Sequence, residues 1–320
     1  MPESDAARSE LSMHALEDML ACVSALETVD DPWLQARGIR LRVLRLDRIH
    51  PQISGNKWFK LKDNLRAAQA AGEDTLLSFG GAWSNHLLAL AEAGRLSGLR
   101  TIGVVRGEAS ASPSPVLQRC ADAGMVLHHV SRSDYRRKHE SAFISQLHDR
   151  FGRFHLIPEG GSNLDGVRGC ADIVPLLGLD DRSVTVALAC GTAATLAGML
   201  LALPRSATAL GISVLRGEDT LSPQVGHWLQ ALGQSDPCAW QIETRFHCGG
   251  YARSTPQLLD FISGFGRRTG IPLEPVYTGK LMLALYRLIE EGRWPCGSEL
   301  IAVHTGGLSA CEPLSSVSPQ

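Results

Sequence analysis

Lys57 follows Ser54-Gly55-Asn56 and precedes Trp58-Phe59-Lys60, where a loop gives way to an amphipathic helix. Trp58, Leu61, Leu65 and Ala68 recur at helical spacing, which leaves Lys60, Lys62, Asp63 and Arg66 for more exposed faces. A helix beginning near Asn56 or Lys57 puts this lysine at the positive end of the dipole, where a neutral amine or imine is favoured over an ammonium. Such an amine is a candidate nucleophile for Schiff-base chemistry. A solvated lysine at a helix start fits the same spacing.

Two further loop-to-helix junctions could hold anions. In Gly80-Gly81-Ala82-Trp83-Ser84-Asn85-His86 the backbone amides and the Ser84 or Asn85 side chain can converge on a carboxylate, or simply cap a helix. Trp83 offers an apolar wall or fills a seam, and His86 is an acid/base residue or a satisfied cap-region histidine. Cys190-Gly191-Thr192-Ala193-Ala194-Thr195 repeats the arrangement, with two hydroxyls beside free helix-end amides, a suitable phosphate cradle or a plain cap. It is neither a Walker loop nor a G-x-G-x-x-G fingerprint. Tyr251, after Gly249-Gly250, and Tyr277, in Val276-Tyr277-Thr278-Gly279-Lys280, could stack on a planar ring or bond a carboxylate or leaving group, or merely pack. Lys280 precedes a helical run much as Lys57 does and is a rival Schiff-base lysine. Glu159-Gly160-Gly161-Ser162-Asn163 is a surface turn or a return loop near a cleft.

These junctions sit in an alternation of strands and helices. A helix from Ser12 to Leu26 and a Pro32 turn precede a strand over Ile39–Leu46, and the lysine helix follows. Strands over 75–79, 99–105, 125–130 and 154–157 interleave with helices over 85–96, 116–123 and 135–151. After Gly161 come strands over 183–190, 207–215, 241–246 and 299–304, with helices over 194–203 and 280–290 and one between the second and third strands. The pattern predicts two α/β units with open, parallel sheets, whose facing strand ends form the cleft. Ala109 to Pro115 is either a lid or a plain loop.

Composition narrows the partners. The 320 residues are 44% apolar, enough for one or two full cores, and 31 basic against 33 acidic side chains give a net charge of -2. No overall positive field invites nucleic acid, so a small-molecule partner is expected. The eight cysteines lie without a CxxC pair and read as reduced, mostly buried thiols. With no signal-peptide segment and no apolar run of membrane-spanning length, a cytoplasmic location away from membranes is expected. The scattered histidines lack metal-site spacing, so no metal is expected.

Taken in order, Ser54-Gly55-Asn56-Lys57, the Gly80-to-His86 loop, Cys190-Gly191-Thr192 and Val276-Tyr277-Thr278-Gly279-Lys280 resemble the 1-aminocyclopropane-1-carboxylate deaminase/D-cysteine desulfhydrase family of pyridoxal-phosphate enzymes, within the tryptophan-synthase-β-like fold (fold type II). The resemblance runs from about Leu41 to Gly307. It implies two open twisted parallel-sheet domains, a smaller one over 58–170 and a larger cofactor-binding one over 1–57 and 171–320, in a homodimer. It implies that Lys57 forms the internal aldimine with pyridoxal 5'-phosphate, that Asn85 bonds the phenolic oxygen, and that Cys190, Gly191, Thr192, Ala193, Ala194 and Thr195 hold the phosphate. By the same resemblance Tyr277 lies against the ring, Thr278 approaches the pyridine nitrogen, and Ser84 receives the substrate carboxylate. Asn85, His86, Trp83 and Tyr251 complete the substrate side, with Ser84, Tyr251 and Tyr277 as catalytic partners of Lys57.

Position 278 bears on the reaction. Ring-opening relatives carry glutamate there, whereas a neutral threonine gives a weaker electron sink, better suited to β-elimination with a leaving group. The expectation is therefore a lyase acting on a small D-amino acid, D-cysteine foremost, that releases pyruvate, ammonia and hydrogen sulfide. Ring opening of 1-aminocyclopropane-1-carboxylate is the alternative. Trp83 stands where relatives carry glutamine and could select another substrate, or leave a catalytically weak binding protein. Ala193 and Ala194 make the phosphate loop less glycine-rich while keeping its backbone donors.

Overall fold

The computed structural model describes residues 26–179 and 183–308. The helix expected from Ser12 lies outside them, except for Leu26, which opens a strand instead. The described residues begin with β1 (Leu26–Thr28), the single-turn α1 (Pro32–Gln35) and β2 (Arg40–Arg45). Next come α2 (Lys57–Ala70), β3 (Thr75–Gly80), α3 (Asn85–Ser97), β4 (Arg100–Arg106), α4 (Pro115–Asp122), β5 (Val126–Val130), α5 (Arg132–Arg136), α6 (Ser141–Phe151) and β6 (His155–Ile157). α7 (Leu164–Gly169), β7 (Val184–Cys190), α8 (Ala194–Leu200), β8 (Ala207–Ser213), α9 (Leu221–Ala231), β9 (Ala239–Glu243), α10 (Pro256–Thr269), α11 (Thr278–Glu290) and β10 (Glu299–His304) follow.

Two sheets result. The four-stranded one runs β5-β4-β3-β6, parallel throughout, and the six-stranded one runs β1-β2-β10-β7-β8-β9, parallel except for the antiparallel β1 edge. β7 and β10 lie inside the larger sheet and are almost continuously apolar and buried, as parallel strands covered on both faces must be. One apolar cluster joins Leu61 and Leu65 of α2, Leu88 of α3, Leu196 and Met199 of α8, and Val186 and Ile301 of the larger sheet. Separate clusters fill the outer faces under α11 and α6.

Three expectations are corrected. Pro32 opens α1 behind an Asp31 cap rather than making only a turn. The helix expected over 135–151 is two: Ser131 caps α5 early, and Glu140 takes extended angles (φ -81, ψ 131) that end its path. α10 was not anticipated, because Gly264 and Gly266 dilute its pattern, although Thr255-Pro256 and Gly270 mark its ends.

Glycine lets the site helices approach. A Cβ on Gly198 of α8 would stand 2.1 Å from the Val167 carbonyl of α7, and one on Gly169 of α7 the same 2.1 Å from the Phe59 carbonyl of α2. α7 is thereby wedged between the lysine helix and the helix after β7, which fixes their spacing. Gly198→Ala should lower unfolding stability by about 1–3 kcal/mol, measured by urea denaturation, because backbone must move to admit the methyl group. An unchanged midpoint would mean that the contact is soft.

Candidate active site

The larger sheet brings the carboxyl ends of β2, β10 and β7 side by side. The loop after β2 ends at Gly55-Asn56, and the Asn56 amide donates to the Thr305 carbonyl after β10 over 3.4 Å. The Asn56 side chain spans the gap to the segment after β7: Nδ2 donates to Thr195 Oγ1 at 2.8 Å while Oδ1 accepts from Lys57 Nζ at 3.0 Å. Spent in this way, Asn56 gives α2 no side-chain cap, and Lys57 occupies the first helical position.

Lys57 retains partial exposure in the cleft, yet its amine is brought down from an ordinary 10.5 to about 7, first by burial and then by the nearby charge of Lys60. Lys60 was expected on an exposed face but is only 3% exposed. Its Nζ donates to the Gly160 carbonyl at 3.0 Å and to Thr192 Oγ1 at 3.3 Å, and burial lowers its affinity for a proton. Lys62, also expected outside, is buried and paired with Asp172. The physical reason is the same for both: α2 is sandwiched between layers and buries most of its circumference, so its apolar stripe does not mark its only inner face.

The segment after β7 supplies donors. Ala193 adopts left-handed angles (φ 56, ψ -6) and α8 has no side-chain cap, so its first amides are not spent on a neighbouring side chain. Ser162 Oγ donates to Thr192 Oγ1 at 2.9 Å, tying the Glu159-to-Asn163 loop to this cradle; that loop therefore lies at the cleft. Two lysines, two threonines and open helix-end amides meet with no carboxylate paired to either amine among the described residues. A phosphate-sized dianion is the complementary guest. Cys190 is buried, and its thiol is pushed up to about 12 by that burial, which keeps it protonated.

Across the cleft, Ser84 caps α3, accepting from the Leu87 amide at 3.2 Å; its hydroxyl proton is left to donate elsewhere. Asn85, the first residue of α3, is half-buried, whereas Trp83 is 56% exposed. His86 is buried behind them with Nε2 2.9 Å from Ser78 Oγ. Burial, then the charges of Lys57 and Lys60, hold it well below its usual proton affinity, so it is a neutral imidazole. Its partner is a hydroxyl, not a backbone carbonyl, and its Nδ1 lacks one among the described residues.

Tyr277 packs over Gly191, where an added Cβ would stand 3.2 Å from the ring, and meets Tyr251 edge-on with centroids 6.1 Å apart. Tyr251 is 54% exposed at the rim. Thr278 is buried and its hydroxyl is bound twice to Glu274: Oγ1 accepts from the Glu274 amide at 3.0 Å and donates to Oε1 at 3.1 Å. Glu274 and Lys60 are the residues that sequence reasoning missed. An acid four residues before a helix start marked the first; the three-residue spacing from Lys57, which puts both amines on one helical face, marked the second.

A family described as pyridoxal-phosphate dependent enzyme matches residues 34–306. The chain belongs to that family. Among curated relatives of this pyridoxal-phosphate-dependent enzyme, a protein provisionally named 1-aminocyclopropane-1-carboxylate deaminase from Pyrococcus horikoshii is 26% identical over 80% of this chain and 81% of its own. A D-cysteine desulfhydrase from Yersinia pestis is 27% identical over 85% and 88%. Of solved structures, an ACC deaminase homologue superposes with TM-score 0.74 at 24% identity, covering 93% of this chain and 95% of its own. A serine racemase from Dictyostelium discoideum gives TM-score 0.64 at 12% identity over 93% and 97%. The fold is that of the type II pyridoxal-phosphate enzymes, and pyridoxal phosphate is the cofactor.

The residues present fit that cofactor: an amine of lowered basicity for its aldehyde, a lysine without a carboxylate partner among the described residues and open amides for its phosphate, and a tyrosine ring over Gly191 beside them. Above pH 7 the Lys57 amine is neutral, while the unfolded chain keeps that proton to an ordinary 10.5; this group therefore adds stability to the cofactor-free fold as pH rises from about 7. Cofactor uptake by the apoenzyme, followed by absorbance, should accelerate with a midpoint near pH 7; a midpoint near the 10.5 of ordinary lysine would contradict the assigned environment.

Proposed function

We propose that the chain eliminates the β-substituent of a small D-amino acid, with D-cysteine as the representative substrate, giving pyruvate, ammonia and hydrogen sulfide after addition of one water. One observation carries the choice: among the described residues no free carboxylate stands at the start of α11. Position 278 is a neutral threonine, and the Glu274 carboxylate beside it is spent on the Val276, Tyr277 and Thr278 amides (2.6, 2.9 and 2.6 Å) and the Thr278 hydroxyl. A weak proton source there suits a reaction helped by its own leaving group.

Pyridoxal phosphate supplies an aldehyde that holds the substrate nitrogen and a conjugated ring that accepts electron density from Cα. Lys57 would hold that aldehyde, and as a free amine of low basicity it would take the α proton. Lys60 and the Cys190-to-Thr195 segment, with Ala193 and Ala194 giving backbone donors, bind the phosphate. Asn85 would hold the phenolic oxygen, Tyr277 would pack on the ring, and Thr278 would serve the pyridine nitrogen. Ser84, with the first amides of α3, receives the substrate carboxylate; neutral His86 stiffens that loop from behind. Tyr251 reaches the β-substituent from the rim and delivers a proton to the departing sulfur. Trp83 borders the substrate, and its large exposure favours a selective wall over a plug.

The relative named for ring opening favours a second reading, 1-aminocyclopropane-1-carboxylate deamination. We assign the wider context similarly: a smaller domain over 58–170 around the four-stranded sheet, a larger one over the rest, a homodimer, and a cytoplasmic site. Among the described residues no helix is long and apolar enough to cross a membrane.

Incubation with D-cysteine should yield equimolar pyruvate and sulfide, with the cyclopropane substrate turned over at least tenfold more slowly; the reverse ranking would select ring opening. Lys60→Ala should weaken cofactor retention roughly 10- to 100-fold, about 1.5–3 kcal/mol for hydrogen bonds to a charged group, as read by equilibrium dialysis. Retention at the wild-type level would remove Lys60 from the phosphate site.

A further inference from the structure

Lys280, the rival lysine of the sequence, is completely buried and not solvated at all. It sits in the first turn of α11, the end of a helix that disfavours a cation, and its Nζ donates to the Gly250 carbonyl over 2.7 Å. Glu274, whose carboxylate caps the same helix end, offsets part of that penalty. A fully enclosed lysine in an unfavourable field that grips one backbone carbonyl is a structural clamp, and what it clamps is the turn bearing Tyr251.

That turn is conformationally demanding. Cys248 and Ala252 hold left-handed angles (φ 50 and 53) although neither is glycine, and Gly249 and Gly250 between them lie at φ 94 and 111. Gly250 is buried against Arg216, where a Cβ would come within 3.2 Å of the arginine Cβ. Its carbonyl also accepts from the Arg253 amide at 3.1 Å. Tyr251, by contrast, is mostly exposed, and its only described ring contact is with Tyr277. The phenol is held at its tip by a side-chain hydrogen bond with Tyr277, so the rest of its placement depends on the backbone beneath it.

We infer that Lys280 is a positioning residue: by holding the Gly250 carbonyl it locks the strained 247–253 turn and so fixes Tyr251 opposite Tyr277 at the substrate side of the cleft. The inference rests on the substrate-facing role given to Tyr251 above, while the anchoring itself does not. Because Tyr277 is the N-cap of α11 and Thr278 and Lys280 lie in its first turn, the same helix end then sets both the cofactor-facing and the rim-facing tyrosine.

The test compares wild-type holoenzyme with Lys280→Met, which keeps the stem and removes the donor, by hydrogen exchange and by tryptic cleavage after exposed Arg253. In the wild type, amides 249–253 should exchange at least tenfold more slowly than those of the exposed 108–112 loop. In Lys280→Met, exchange and cleavage should accelerate at least tenfold with cofactor absorbance retained, and kcat/KM should fall about as far as in Tyr251→Phe. The double variant should be no worse than either single one. Should Lys280→Met fail to fold, Lys280→Gln, which keeps a shorter donor, should show an intermediate acceleration. Fast wild-type exchange, or unchanged exchange and cleavage in a folded variant, overturns the inference. A Tyr251→Phe variant of full activity, with anchoring intact by exchange, instead removes the role of Tyr251 and with it the functional half of the inference.

Discussion

Two lysine amines one helical turn apart are enclosed at the start of α2 with no carboxylate paired to them among the described residues. Burying an ammonium without a counter-ion costs several kcal/mol, so the protein meets this constraint in two ways. Lys57 gives up its proton near neutrality and is left a neutral amine. Lys60 turns to the Gly160 carbonyl and Thr192 hydroxyl, the edge of a cradle built for an anion. Together they define a site complementary to an aldehyde joined to a phosphate, and the family membership names that molecule as pyridoxal phosphate.

Keeping the amines in register is the task of the backbone. Asn56 crosses from the lysine helix to Thr195, Asn64 and Asn163 exchange side-chain bonds at 2.7 and 3.2 Å, and α7 is wedged between α2 and α8 where only glycine fits. Strain appears in two loops: Ala193 after β7 and Cys248 and Ala252 in the rim turn hold left-handed angles that alanine and cysteine resist. Ala193 is held by a buried surround and the largely exposed rim turn by its buried Gly250, whose carbonyl Lys280 grips, so the fold pre-organises both loops.

Much of this was legible in the residues. The alternation of strands and helices announced two parallel sheets, and the junctions at Asn56-Lys57, Ser84-Asn85 and Gly191-Thr192 stand at strand ends as their glycines and capping residues suggest. Lys60 and Lys62 were misjudged because helical periodicity locates an apolar stripe and is silent when a helix is enclosed on both sides. Glu274 went unnoticed because a capping carboxylate reads as surface charge until its amide partners fold around it. Lys57 and Lys280 could not be separated by sequence, since both open helices; burial separates them, leaving one amine at the cleft and the other on a carbonyl beneath it.

Chemistry at this site depends on which amine holds the cofactor aldehyde. Borohydride reduction of the holoenzyme, followed by peptide mass spectrometry, reads that directly. The account predicts a pyridoxyl adduct on Lys57 alone; an adduct on Lys60 or Lys280, with Lys57 unmodified, would contradict it.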